Sequence, residues 1–512
     1  MKTIPQAPGP ATKPTGAWGT LVTVAMGIVM VGLDGTVVSI ANPAIGKSLH
    51  ASLADLQWIT NAYLLALAVA LIPGGKLGDR YGRRLVFLIG VAGFTLSSVG
   101  VAVIGTVSGA IAMRAIQGLF GALLMPNTIA LLRAAFPAEQ FNRAVGIWSS
   151  SSAAAIAGAP VIGGLLVEKV NWQSVFLLNV PVGIATIISG ILVMPESRES
   201  VRLRFDYAGL VLLATAVFCL VYGVIRSESS GWTSAPTLGL LAASVVLGVV
   251  FVSVERTSDA PLLPMHLFAS SSISLGVVTL MLNFFALYGA LFFVSLYFQN
   301  VQHLDAIQAG IRLLPLIGVF SATSPYAGRI TTRFGARFPI TFGLGLCTAS
   351  LLSLVVIDAG TSFWLICPAL VGIGLGIALV VVASTEAIIA SAPVDEAGVA
   401  GGLQGIAIQL GGVLGSSILG SILAARVAAV LPSKLAAFGV PSSLGVPTSV
   451  VDQGVVPPPG GPALTAASHA AFLSGLHLAL VLAGVATLLG AFCGPFIKAD
   501  VSASDHSMGV HI

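Results

Sequence analysis

Charge is the scarcest commodity in this sequence. Only 8% of its 512 residues are Asp, Glu, Lys or Arg, where a soluble chain carries about a quarter. That excludes a water-facing surface. With 56% hydrophobic residues and a mean hydropathy of +1.00, the chain cannot bury its apolar area and still cover itself with polar groups. Lipid must solvate most of it. Cysteine is equally sparse. Cys219, Cys347, Cys367 and Cys493 all sit in apolar stretches without a CxxC pair, so neither a disulfide framework nor a metal centre is expected. No HExxH, nucleophile elbow or clustered His/Cys/carboxylate set interrupts the apolar segments, which argues against a membrane-embedded enzyme. No GxxxxGK[ST] loop is present to bind ATP. A net charge of +4, thinly dispersed, gives nucleic acid nothing to hold. No cofactor is expected.

What the chain does have is fourteen apolar segments of about 20 residues each, the length of a membrane helix. An all-α integral membrane protein follows. The predicted layout is a polar leader (1–16), a six-helix bundle (17–194), a two-helix insertion with its flanking loops (195–271), a second six-helix bundle (272–496) and a tail (497–512). Within the second bundle, the Pro/Gly/Ser-rich stretch 426–468 reads as a long irregular loop. The leader is not a signal peptide, because the first apolar run is too long for one. Placing the N-terminus inside puts sixteen Lys and Arg on the cytoplasmic side and six outside, so both termini are expected in the cytoplasm.

The charges that remain are concentrated. Residues 75–84 read GKLGDRYGRR and residues 328–337 read GRITTRFGAR, a repeat 253 residues on. AFPAEQFNRAVG (135–146) and SAPVDEAGVAGG (391–402) support the same duplication with an offset of 256. Two parallel halves around a central cavity form the architecture of an alternating-access transporter.

These motifs, with LDGTVVSIANP (33–43), RAIQGLFGA (114–122), AGAPVIGG (157–164), WQSVFLLNVPVG (172–183) and the segment from LYFQNV to AGIRLLP (296–315), resemble the major facilitator superfamily, specifically its fourteen-span drug:proton antiporter branch. The resemblance covers essentially the whole chain. Ala159 and Asn42 depart from the usual glycine and leucine of their motifs. The resemblance implies two six-helix bundles plus two inserted helices, an energy source in the proton gradient, and a cargo of amphipathic small molecules such as drugs, dyes or an endogenous metabolite. A lipid or siderophore exporter of the same fold and a non-transporting receptor are the alternatives. The expected partners are the cargo, protons and membrane lipid. A monomer in a bacterial cytoplasmic membrane is expected.

Asp34 is an acid in an otherwise apolar helix, where a charge costs about 2.5–3.5 kcal/mol at the bilayer centre. Arg114 is the basic residue placed well inside a span, and helix rise puts the two at similar depth. They are expected to face one cavity as a coupled pair that binds and releases protons; a permanent structural ion pair is the other reading. The family implies that Arg114 modulates the proton site. In the decamer, Gly75 and Gly82 permit a tight turn, while Arg80, Arg83 and Arg84 serve topology. By resemblance, Asp79 latches the cytoplasmic gate against a helix N-terminus in the other half. The start of span 13 near Gly398 is the candidate, with Arg83 or Arg84 bridging to Asp395 and Glu396. A purely topological cluster is the alternative. Gly158, Pro160, Gly163 and Gly164 allow close packing and a bend, and by resemblance form the motif associated with antiporters. Asn61, Tyr63, Gln117, Asn127, Trp148, Asn283, Tyr288, Gln404 and Gln409 are candidate cargo contacts or else helix–helix hydrogen bonds. Glu386 is a further candidate cargo contact that could attract cationic cargo, or a second proton site, or else a solvated helix end.

Overall fold

The computed structural model describes residues 15–197, 206–258, 261–393, 396–441, 444–458 and 460–497. Most of the leader, Asp395 and the tail beyond 497 lie outside the described residues. The first half contains α1 (Thr15–Leu49), α2 (Leu53–Tyr81), α3 (Arg83–Val103), α4 (Val107–Ala135) and α5 (Ala138–Lys169), then a span made of α6 (Gln173–Leu177) and α7 (Asn179–Val193). The insertion is α8 (Tyr207–Ser230) and α9 (Ala235–Thr257). The second half contains α10 (Ser271–Leu296), α11 (Ala306–Phe334), α12 (Arg337–Ser353), α13 (Phe363–Ala390), α14 (Ala397–Ala437), the single turn α15 (Thr448–Val451) and α16 (Pro462–Cys493). Among the described residues, 14 helices are long and apolar enough to cross a membrane. Their outward side chains, including Leu96, Leu192, Val245, Trp364 and Phe492, are apolar and exposed, as lipid requires.

The stretch 426–468 is more ordered than its composition suggests. α14 continues to Ala437 and α16 begins at Pro462, leaving a much shorter connection than the expected loop. The reason is local. RVAAVLPSKLAA carries Pro432 inside the helix, but its Ala, Leu, Arg and Lys residues favour helix, and Val427, Leu431 and Leu435 are buried in the main core. Pro462 occupies the first helical turn, where a missing N–H costs nothing.

The two halves repeat each other in their packing. α1 lies on α5 as α10 lies on α14, and α2 lies on α4 as α11 lies on α13. The halves meet through two crossed pairs, α5 with α11 and α2 with α14, while α8 lies against α2 and α14. Backbone meets backbone in the first pair. A Cβ on Gly164 would come within 3.0 Å of the Ala306 carbonyl, and one on Gly310 within 3.0 Å of the Pro160 carbonyl. This contact lies at the end of the bundle away from the decamer. Further along, toward the decamer, Gly146 of α5 and Gly318 of α11 have no neighbour within 4 Å of a built Cβ, so neither position is packed. Side chains reinforce the closed end. Ser295 Oγ donates to the Ser39 carbonyl at 2.8 Å and Gln299 Nε2 to the Ile40 carbonyl at 3.2 Å, both joining α10 and its terminal turn to α1. Gln453 Nε2 donates to the Ala51 carbonyl at 3.2 Å.

Candidate functional site: a buried polar network in the first bundle

Asp34 and Arg114 are brought together. Arg114 Nη1 forms an ion pair with Asp34 Oδ2, and each side chain is 1% exposed. The pair is part of a larger network. Gln117, one turn after Arg114 on α4, donates through Nε2 to Asp34 Oδ1 at 2.9 Å and accepts from Arg114 Nη1 at 2.7 Å. Asn179 of α7 reaches Asp34 Oδ1 at 3.4 Å, and both amides donate to Ser98 Oγ of α3, at 2.7 Å from Gln117 and 3.1 Å from Asn179. Arg114 also donates through Nε to the Ile59 carbonyl at 3.1 Å. Its guanidinium stands 4.2 Å from the centre of the Tyr63 ring, close enough for a desolvated cation–π contact. Five helices of one bundle thus enclose one acid.

This corrects the expectation that the pair faces an open cavity. In this conformation Asp34 points into the first bundle. An isolated carboxylate there would be prohibitive; the arginine and two amide donors meet the requirement that a buried charge be paired and hydrogen-bonded. Asn179 and Ser98 were not singled out from the sequence. The available signal was Asn179's place as a polar residue inside the apolar run FLLNVPV. Ser98 carries no signal of its own.

The other candidates divide by partner. Asn61 of α2 bridges the halves, donating to Ser417 Oγ at 2.8 Å and accepting from Ser416 Oγ at 2.6 Å on α14. Asn127 donates to the Gly74 and Leu123 carbonyls, and Gln404 donates to Thr385 Oγ1 at 2.6 Å. Those two are helix–helix hydrogen bonds, the blander of the two readings. Asn283 is buried with both amide atoms unpartnered; Gln409 Oε1, Trp148 Nε1 and Tyr63 Oη are buried without a partner as well. These atoms retain unused hydrogen-bonding capacity. Tyr288, with Gly35, Thr36, Ser39, Thr60 and Ser416, lines a small, partly open space of about 20 Å³ on the seam between the halves, room for one water. Glu386 is exposed on α13, near its decamer-side end.

The decamer is mostly helix. α2 continues through Tyr81, so Gly75 lies inside it and the turn is the single residue Gly82, at φ +114°. Its counterpart 253 residues on, Gly335, turns α11 into α12 at φ +71°. Only glycine adopts such angles cheaply. The expected latch of Asp79 on the start of α14 is replaced by a nearer partner. Arg83 Nη2 holds Asp79 Oδ1 at 2.7 Å across the turn. Arg83 also donates to Ser197 Oγ at 3.4 Å, and Arg84 Nη2 donates to the Ile191 carbonyl at 2.7 Å. Arg84 therefore secures the end of α7 in its own half. Glu396, the expected bridging partner at α14, is bound by His266 at 2.8 Å. Arg80 lies over the Tyr81 ring. Because the Asp79–Arg83 pair is partly exposed, Asp79→Asn is expected to cost less than about 1 kcal/mol of stability. Thermal unfolding of the purified protein checks this; a larger loss means Asp79 makes a buried contact in addition.

In the α5 segment AGAPVIGG (157–164), a Cβ on Gly163 would overlap Val37 of α1, and Gly164 and Pro160 form the seam with α11. Gly158 makes no comparably close approach to another helix. The motif is thus where α5 touches both α1 and the opposite half.

Known proteins agree with this architecture. The Major Facilitator Superfamily profile matches residues 24–416. The chain belongs to the major facilitator superfamily. It is 44% identical over 497 residues to the tetracenomycin C resistance and export protein of Streptomyces glaucescens, covering 94% of this chain and 91% of that one. It is 32% identical to the methyl viologen resistance protein SmvA of Salmonella typhimurium, covering 92% and 96%. A solved bacterial homologue of the human lysosomal transporter Spinster shares the fold, with a TM-score of 0.66 at 16% identity over 95% of this chain and 99% of that one. The chain is therefore a multi-pass membrane transporter and not an enzyme.

Proposed function

We propose that this protein exports amphipathic small molecules, such as drugs, dyes or an endogenous antibiotic, in exchange for protons. It would do so by alternating access in a bacterial cytoplasmic membrane with both termini inside. The observation that carries the reading is the Asp34–Arg114 pair buried inside a membrane bundle, a costly arrangement that is usually functional. Export as the direction, and drug-like cargo as the class, rest on the activities of the relatives. With the termini inside, the α5–α11 contact and the hydrogen bonds of α10 to α1 close the halves toward the outside. Both halves come from one chain, so a monomer holds the whole pathway.

The network supports a proton role because Arg114 does not depend on Asp34 alone. If Asp34 takes a proton, the guanidinium keeps the Ile59 carbonyl, Gln117 Oε1 and the Tyr63 face. A carboxylate moved between a dry, cation-paired setting and water changes its hold on a proton. Rocking of the halves can therefore load Asp34 on one side and empty it on the other. Efflux of a panel of cationic and neutral compounds, measured with and without a collapsed proton gradient, tests the reading. Loss of efflux on collapse is expected; efflux indifferent to the gradient overturns proton coupling, and flux of lipid alone points to a lipid exporter.

A further inference from the structure

The insertion carries a pair of acids that the transport reading leaves unused. Asp206 caps α8, and its Oδ1 accepts the Gly209 N–H at 2.7 Å. Glu255 lies near the end of α9, 3% exposed, and its Oε2 accepts the Leu263 N–H at 2.9 Å. Each carboxyl thus has one oxygen satisfied by backbone. The other two, Asp206 Oδ2 and Glu255 Oε1, are buried and have no hydrogen-bond donor. They face each other across Gly209, both lying within 3.0 Å of the point a Cβ there would occupy. Two buried acceptors aimed at one space, with no donor between them, are costly as they stand.

We propose that Asp206 and Glu255 share one proton between Oδ2 and Oε1, making the two-helix insertion a proton-binding site in its own right. The proton turns an acceptor–acceptor encounter into an O–H···O bond and reduces the pair's charge from two negatives to one. Lys76, from the decamer on α2, lies close enough to interact electrostatically with both carboxyls. The neighbouring groups on other elements are otherwise engaged. His266 is bound to Glu396. On α9 itself, Arg256 is exposed.

The site controls a junction. Glu255 holds Leu263, and Lys76 Nζ donates to the Pro261 carbonyl at 3.1 Å, so residues 261–263 are strapped from both sides. Leu262 and Leu263 pack with Ile72 of the first half, Phe251 of the insertion, and Ile273, Leu403 and Ile406 of the second half. Removing the proton leaves two facing carboxylates, which repel and loosen the strap where all three parts meet. This inference holds whether or not Asp34 couples transport.

Infrared difference spectroscopy on the full chain in lipid tests it. At neutral pH the wild type is expected to show a protonated-carboxyl C=O band that Asp34→Asn leaves in place. Glu255→Gln is expected to remove the band. Asp206→Asn should remove it too, because its amide then donates to Glu255 Oε1, and it serves where E255Q fails to fold. A wild-type spectrum without the band, or a band persisting in either variant, overturns the proposal. So does stabilisation by Na⁺ or K⁺ at fixed pH that E255Q abolishes, since the occupant is then a metal cation.

Discussion

Asp34→Asn is expected to abolish proton-driven export while leaving part of the cargo binding intact. The substitution keeps the size of the side chain and an oxygen for the Gln117 and Asn179 amides. It removes the negative charge opposite Arg114 and the group that can carry a proton. Breaking a buried ion pair typically costs about 3–5 kcal/mol. The cost here should fall toward the lower end, because Arg114 retains the Ile59 carbonyl, Gln117 and the Tyr63 ring. Stability and transport must therefore be measured separately, by thermal unfolding and by efflux from vesicles under an imposed pH gradient.

The pair of variants that separates the two readings of the site is Asp34→Leu together with Arg114→Met. Replacing a whole buried ion pair with apolar residues of similar volume is often neutral for stability. If the pair were only a structural tie, the double variant would regain both fold and transport. If Asp34 carries the proton, it regains the fold and remains unable to couple export to the gradient. Undiminished pH-driven transport by Asp34→Asn sinks the assignment outright.

How much of this was legible in the sequence depended on whether a signal was periodic or local. The helices were, because apolar runs of membrane length have no other use. The pairing of Asp34 with Arg114 was, because two charges at equal depth in an apolar setting must find partners. The sealed surroundings of that pair were not. Ser98 and Asn179 look like any small polar residues in a helix, and only the packing of α3 and α7 against α1 and α4 brings them together. Asp79 misled for a related reason. Its alternatives, a helix terminus in the other half or Arg83 four residues on, are equally sound electrostatically, and the geometry of the Gly82 turn decides in favour of the nearer one. The Ala-rich end of α14 was missed because Pro432 and Ser433 inside it, and the prolines and serines further along, read as a break in the helix.

Gly164→Ala and Gly310→Ala are expected to open the closed end of the bundle. In each case the new methyl meets backbone, the Ala306 or the Pro160 carbonyl, which cannot rotate away as a side chain would. Overpacking of this kind costs about 1–3 kcal/mol. The cost falls only on the conformation in which α5 and α11 touch, so the equilibrium between the two access states shifts by roughly tenfold to a hundredfold. The expected result is a larger distance between spin labels at Lys169 and Asp305, the exposed ends of α5 and α11, together with slowed export. Gly146→Ala and Gly318→Ala are the matched controls. They lie on the same two helices, but an added Cβ there meets nothing within 4 Å, and alanine in a helix is favoured over glycine by about 1 kcal/mol. Should Gly164→Ala leave the label distance as the controls do, the α5–α11 contact is not what holds the halves closed. The hydrogen bonds of Ser295 and Gln299 to α1, of Gln453 to Ala51 and of Asn61 to α14 would then have to carry that closure.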